Sequence, residues 1–173
     1  MRLLFFAIAI SIFLIGCSVG NDDTYNGQSL HIGVIGESPN VNFNNITFHH
    51  TIPDLLYKEE YDAYFITEAY FEELSTDEWT SVFDKLHTPV FFINLDVQAF
   101  IYRIDGMDYD KTSPKATEHT KGFVRVGDEF RGWAYGDPSG TTKQSDTPKW
   151  IYNAIFRDIE EFLQENESMN NNW

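Results

Sequence analysis

The chain has 173 residues, 42% of them hydrophobic and 16% aromatic, which is enough for one domain with a substantial core and leaves no room for a second. Its 12 basic residues stand against 27 acidic ones, a net charge of −15. That balance excludes a nucleic-acid reader, which neutralises phosphates with Lys and Arg, and leaves no polybasic segment to lie on an anionic bilayer. A single cysteine excludes an internal disulfide framework.

Arg2 precedes an apolar run from Leu3 to Ile15, interrupted only by the hydroxyl of Ser11. Thirteen residues span roughly 20 Å as a helix, short of the ~30 Å hydrocarbon core, so the run reads as the h-region of a secretory signal. It closes on Leu14-Ile15-Gly16-Cys17, which resembles the lipobox of bacterial lipoproteins. The resemblance implies removal of residues 1–16 and a diacylglyceryl group on the Cys17 thiol, with the membrane as a partner through those acyl chains. Two chains turn marginal membrane binding into stable anchoring. An otherwise exposed lone thiol outside the cell is thereby consumed.

Residues 17–28 then read as the lipidated cysteine and a polar, Gly- and Asn-rich tether reaching on the order of 20 Å. The folded domain is expected over 29–165, and a frayed tail over 166–173. Leu30 to Ile35 reads as a buried strand ending at Gly36, and Ile46 to His49 as a second. Pro53 to Tyr57 suits a helical turn with Pro near its first position. Asp62 to Thr67 is a third strand. Ser75-Thr76-Asp77-Glu78 has the form of a capping box, followed by Trp79, Val82, Phe83 and Leu86 on one helical face. Pro89 stops that helix, and Val90 to Ile93 is a fourth strand. Gly122–Val126 and Glu129–Tyr135 flank Gly127-Asp128, a two-residue hairpin turn with glycine first. Thr147 as cap and Pro148 open a long helix that turns Ile151, Ile155, Ile159 and Phe162 inward. The expected fold is a single-domain α/β sandwich with a mixed, partly parallel, Rossmann-like sheet, a C-terminal β-hairpin and a long C-terminal helix.

Catalytic and cofactor signatures do not appear in this sequence. Gly33-Val34-Ile35-Gly36 lacks the spacing of a dinucleotide fingerprint, and there is no phosphate-binding P-loop, nucleophile elbow or zinc-protease motif, so no cofactor is assigned. Three weaker features are candidates. The carboxyl ends of the parallel strands, where open α/β folds bind ligands, carry Gly36, Glu37 and Ser38, then Thr67 and Glu68, then Asn94 and Asp96. Glu37, Glu68 and Asp96 are the weak candidates for acid–base chemistry, and Gly36, Ser38, Thr67 and Asn94 for a ligand rim. Asp105, Asp108 and Asp110 crowd a polar loop of the kind that suits a cation, although their order departs from the calcium-loop pattern. His49 and His50 point to opposite faces of a strand and are not expected to chelate one ion together.

The lipobox, HIGVIGESP from His31, YDAYFITEAYFEELS from Tyr61, TPVFFIN from Thr88 and GWAYGD from Gly132 together resemble small lipoproteins of Bacillus-type Gram-positive bacteria. That resemblance implies a place, the extracytoplasmic face of the cell membrane, and no activity. The expected function is non-enzymatic: a tethered protein that binds an envelope protein or a small ligand. An enzyme using the rim carboxylates and a cation-binding protein using the Asp105–Asp110 loop are the alternatives.

Overall fold

The computed structural model describes residues 24–109, 114–136 and 147–170. Cys17 and Asp110 lie outside these residues. Among the described residues no helix is long and apolar enough to cross a membrane.

Six strands form one sheet: β1 (Leu30–Ile35), β2 (Ile46–Thr51), β3 (Ala63–Ile66), β4 (Val90–Ile93), β5 (Thr120–Val126) and β6 (Glu129–Tyr135). Their order is β2-β1-β3-β4-β5-β6; the first four run parallel, and β5 and β6 pair antiparallel. This is the mixed α/β sheet read from the sequence. All four residues of β3 and of β4 are buried, as a strand covered on both faces requires. Gly127 adopts φ +59° in the β5–β6 turn, a conformation that glycine reaches without steric cost.

The back face is covered by the long helix α2 (Lys149–Asn170). Ile151, Tyr152, Ile155, Phe156, Ile159 and Phe162 are buried there with Leu30, Ile32, Val34, Phe65, Phe91 and Ile93. Phe156 lies parallel to Phe65 at 6.1 Å between ring centroids, and Phe162 meets Trp133 edge-on at 6.0 Å. The link from β1 to β2 is only residues 36–45, without the helix usual between parallel strands. Phe43 supplies the cover instead, packing edge-on against Phe156 at 5.0 Å. The front face is covered by the short helix α1 (Asp77–Phe83) and by 3₁₀ segments, chiefly Pro53–Lys58, Glu73–Ser75 and Ala99–Arg103. Tyr102 stacks on Phe92 at 3.9 Å, with Phe83 edge-on to Phe92 and Phe123.

Several local expectations differ from the structure. The capping box does not form: Thr76 precedes α1 without a side-chain cap, because the Ser75 hydroxyl donates to the Glu72 carbonyl and accepts the Tyr109 N–H at 3.0 Å. Likewise, the Thr147 hydroxyl is buried without a hydrogen-bond partner among the described residues and does not cap α2. The domain begins before Ser29, since Tyr25 is buried against Phe156 and its N–H donates to Asn153 Oδ1 at 2.9 Å. At the other end α2 continues through 166–170, part of the segment expected to fray.

Gly122 faces the Phe91 ring, and a Cβ built there lies 2.3 Å from two ring carbons. Gly122→Ala is therefore expected to destabilise the domain by about 1–3 kcal/mol, the usual cost of overpacking a core. Urea unfolding of the two proteins measures it.

Candidate functional site: the strand rim and a groove beside the hairpin

β1 sits between β2 and β3, so the chain leaves it in one direction and returns to the other side, which makes the carboxyl ends of β1 and β3 a topological switch point. Here the structure closes the crevice. Gly36 takes φ +108°, and a Cβ on it would lie 2.1 Å from Thr67 Oγ1. The Thr67 hydroxyl accepts the Glu37 N–H at 2.9 Å, and the Thr67 N–H donates to the Ile35 carbonyl at 3.1 Å. Gly36 and Thr67 thus stitch the first loop to the end of β3. Ser38, Glu37 and Glu68 are exposed beside this seam.

Further along the rim Asn94 adopts φ +62° at the end of β4, turning the chain so that Asp96 meets Tyr109. The Tyr109 hydroxyl donates to Asp96 Oδ2. Burial, then the bond to Asp96, then the nearby Glu68 and Glu72 push the Tyr109 phenol above its ordinary value. Burial, reinforced by Asp96 and Tyr109, does the same to the Tyr102 phenol, which is fully buried and has no hydrogen-bond partner among the described residues. Both phenols stay neutral at physiological pH. Glu68 and Asp96 therefore approach one phenol, whereas Glu37 lies with Thr67. None of these three carboxylates lines the grooves on either side of the β5–β6 hairpin.

The acidic loop is tied to α1. Gly106 N–H donates to Asp77 Oδ1 at 2.6 Å, and Asp105 points outward, exposed. Among the described residues no three His, Cys, Asp or Glu side chains are grouped as a metal site would need; Asp110 lies outside them.

Sequence reasoning missed a groove of about 370 Å³ on the front face of the hairpin, within the size range of small-molecule sites. Phe123, Phe130, Lys121 and Gly132 form its floor, and Phe100 and Arg103 form a wall from the Ala99–Arg103 segment. The Arg103 guanidinium lies 4.7 Å over the Phe130 ring and 5.3 Å over Phe123, so two ring faces hold it in place. Lys121 pairs with Glu118 at 3.7 Å, but Arg103 has no carboxylate at ion-pair distance among the described residues. Gly132 opens the floor: a Cβ there would meet only the Gly122 carbonyl, at 3.5 Å. The only sequence signal for this groove was strand alternation, which puts Lys121, Phe123 and Arg125 on one side of β5.

No family model matches the chain, and neither a curated protein nor a solved structure does.

Thr67→Val removes the acceptor of the Glu37 N–H at nearly constant volume. The expected loss is ~1–3 kcal/mol for the hydrogen bonds that the hydroxyl makes with the Glu37 N–H and the Ile35 carbonyl, read by chemical denaturation, with faster amide exchange at Glu37.

Proposed function

We propose that the protein is a lipid-anchored, extracytoplasmic binding protein without catalytic activity, and that the groove over the β5–β6 hairpin takes a small anionic ligand with a flat apolar portion. One observation carries the ligand class. A guanidinium lying over the faces of two phenylalanine rings, free of an ion pair with any described carboxylate, faces a groove to which Phe100, Phe123 and Phe130 contribute apolar surface. Arginine presents a rigid fork of donors to a carboxylate, sulfonate or phosphate, and the rings of Phe100, Phe123 and Phe130 give a planar group its apolar surface. In a chain of net charge −15, a groove lined by two cations and one carboxylate is a local exception that selects for anions.

The anchor rests on the lipobox at Cys17 and on the resemblance to Bacillus-type lipoproteins. A polar tether then holds an acidic head off the anionic bilayer, with its groove open to whatever diffuses through the envelope. The carboxylates Glu37, Glu68 and Asp96 remain the residues an enzyme would use, but no observation places a substrate between them.

Cys17→Ser is expected to move the protein from the membrane to the soluble or unprocessed fraction, and unchanged fractionation overturns the anchor. For the groove, 2-naphthoate is the probe and neutral 2-naphthamide its control. Chemical shifts at Phe130, Gly132 and Arg103 should move with the acid and not with the amide. Arg103→Ala should weaken binding about tenfold or more, the usual worth of a charged hydrogen bond. Gly132→Leu should fill the groove and abolish binding without unfolding the domain. Binding unaffected by both substitutions overturns this reading.

A further inference from the structure

On the opposite flank of the front face, two histidines that are 18 residues apart in sequence meet across strands. The parallel register sets Gly33 opposite His49 and His31 opposite Thr47, so His31 and His49 project from the same face as diagonal neighbours. His31 Nδ1 and His49 Nε2 share a hydrogen bond at 2.9 Å, and the rings are tilted by 33°. His31 is exposed and His49 half-buried, so solvent reaches the pair.

The surroundings fix this arrangement. The His31 N–H donates to Asp62 Oδ2 at 2.7 Å, which holds the strand end against the loop before β3. Tyr61, next to Asp62, stacks on the His49 ring at 5.3 Å and 27°, and its other contact is edge-on with Tyr64 at 5.5 Å. Tyr61 reaches this position only because residue 33 is glycine: a Cβ there would lie 2.5 Å from Tyr61 and 2.8 Å from Tyr64. A glycine, a stacked tyrosine and a backbone-anchoring aspartate thus hold two imidazoles together on an open surface.

We propose that His31 and His49 bind one late first-row divalent metal ion, Cu²⁺ most tightly and Zn²⁺ or Ni²⁺ after it, with the two imidazoles as protein ligands and water in the remaining positions. Imidazole nitrogens suit these ions, and affinity for such a site follows the order of the first-row series. Two nitrogens each ~2.0–2.1 Å from one ion, at a right or tetrahedral angle, stand about 2.9–3.4 Å apart. The observed 2.9 Å, a hydrogen bond in the metal-free pair, already meets that span, so binding requires the donor ring to carry its proton on its other nitrogen and both rings to turn toward the ion, and leaves the strands where they are. The strongly acidic surface raises the local concentration of cations around the pair. With two protein ligands the ion is exchangeable, as a site that collects or passes on metal requires. This reading is independent of the groove, which lies at the opposite edge of the same face.

The test is calorimetric titration of Cu²⁺, Zn²⁺ and Ni²⁺ into the untagged full chain carrying Cys17→Ser, so that neither a tag nor a thiol competes. One equivalent should bind, in the affinity order given. His31→Ala and His49→Ala should each weaken binding at least about tenfold, the minimum loss that even an outer-sphere partner carries. His49→Phe, which keeps the stack on Tyr61 but has no ring nitrogen, should behave the same way, and His50→Ala on the opposite face should bind as the parent. Independently, Zn²⁺ should shift the ring resonances of His31 and His49 together in the parent protein. Binding that survives loss of either imidazole, shifts confined to His50, His87 or His119, or no binding up to ~1 mM metal would overturn the proposal.

Discussion

The buried central strands impose the constraint on which the rest of the molecule depends. Ala63–Ile66 and Val90–Ile93 have no solvent face, so apolar layers must cover the sheet on both sides. Six strands spaced about 4.8 Å apart make a sheet roughly 24 Å across. On the back, α2 has 22 residues and a length of ~33 Å, enough to reach from Phe48 of β2 to Trp133 of β6. On the front, α1 has seven residues, about 10 Å, and even with the 3₁₀ segments beside it the cover is concentrated over β3, β4 and Phe123.

That difference in length places the two candidate sites. The front face is left open at both flanks, over β5–β6 on one side and over β1–β2 on the other. Strand alternation then decides what is displayed there. On β5 and β6 it displays Lys121, Phe123, Phe130 and Gly132; on β1 and β2 it displays His31, Gly33 and His49. Both sites include a glycine where a side chain would obstruct, Gly132 in the groove floor and Gly33 beneath Tyr61. The strand rim, in contrast, is occupied by its own hydrogen bonds, with Thr67 closing the crevice that the topology would offer.

The architecture was legible because its signals are periodic or steric. Short apolar runs marked β1, β3 and β4, a Gly-Asp turn marked the hairpin, and inward residues three and four apart marked α2. Capping was less legible, because Ser75 and Thr147 each had the right residue type, yet the Ser75 hydroxyl is engaged by the nearby Glu72 carbonyl and the distant Tyr109 amide, and the Thr147 hydroxyl is buried without a partner among the described residues. The groove was hidden for another reason. Its wall, Ala99–Arg103, approaches the hairpin floor only through tertiary packing, and no local pattern reports that Arg103 will lie over Phe123 and Phe130. His49 was judged against its neighbour His50, the correct comparison within one strand, but its partner comes from the adjacent strand in a register that sequence alone does not set.

Charge gives the two flanks opposite characters within one acidic surface. At the hairpin, Arg103, Lys121 and Arg125 lie along one side, with Lys121 engaged by Glu118 and Arg125 by Asp84 at 3.2 Å. Arg103 contacts only rings among these partners, so desolvating it against an anion breaks no ion pair within the described domain. At β1–β2 the donors are imidazole nitrogens, and the chain's net negative charge of −15 favours a cation. An anion at the histidine flank finds no cation in the pair's neighbours Asp62 and Tyr61, and a cation drawn to the hairpin meets guanidinium. The separation of the two sites across a sheet about 24 Å wide exceeds the ~8 Å over which exposed charges act at physiological salt, so occupancy of one leaves the electrostatics of the other unchanged.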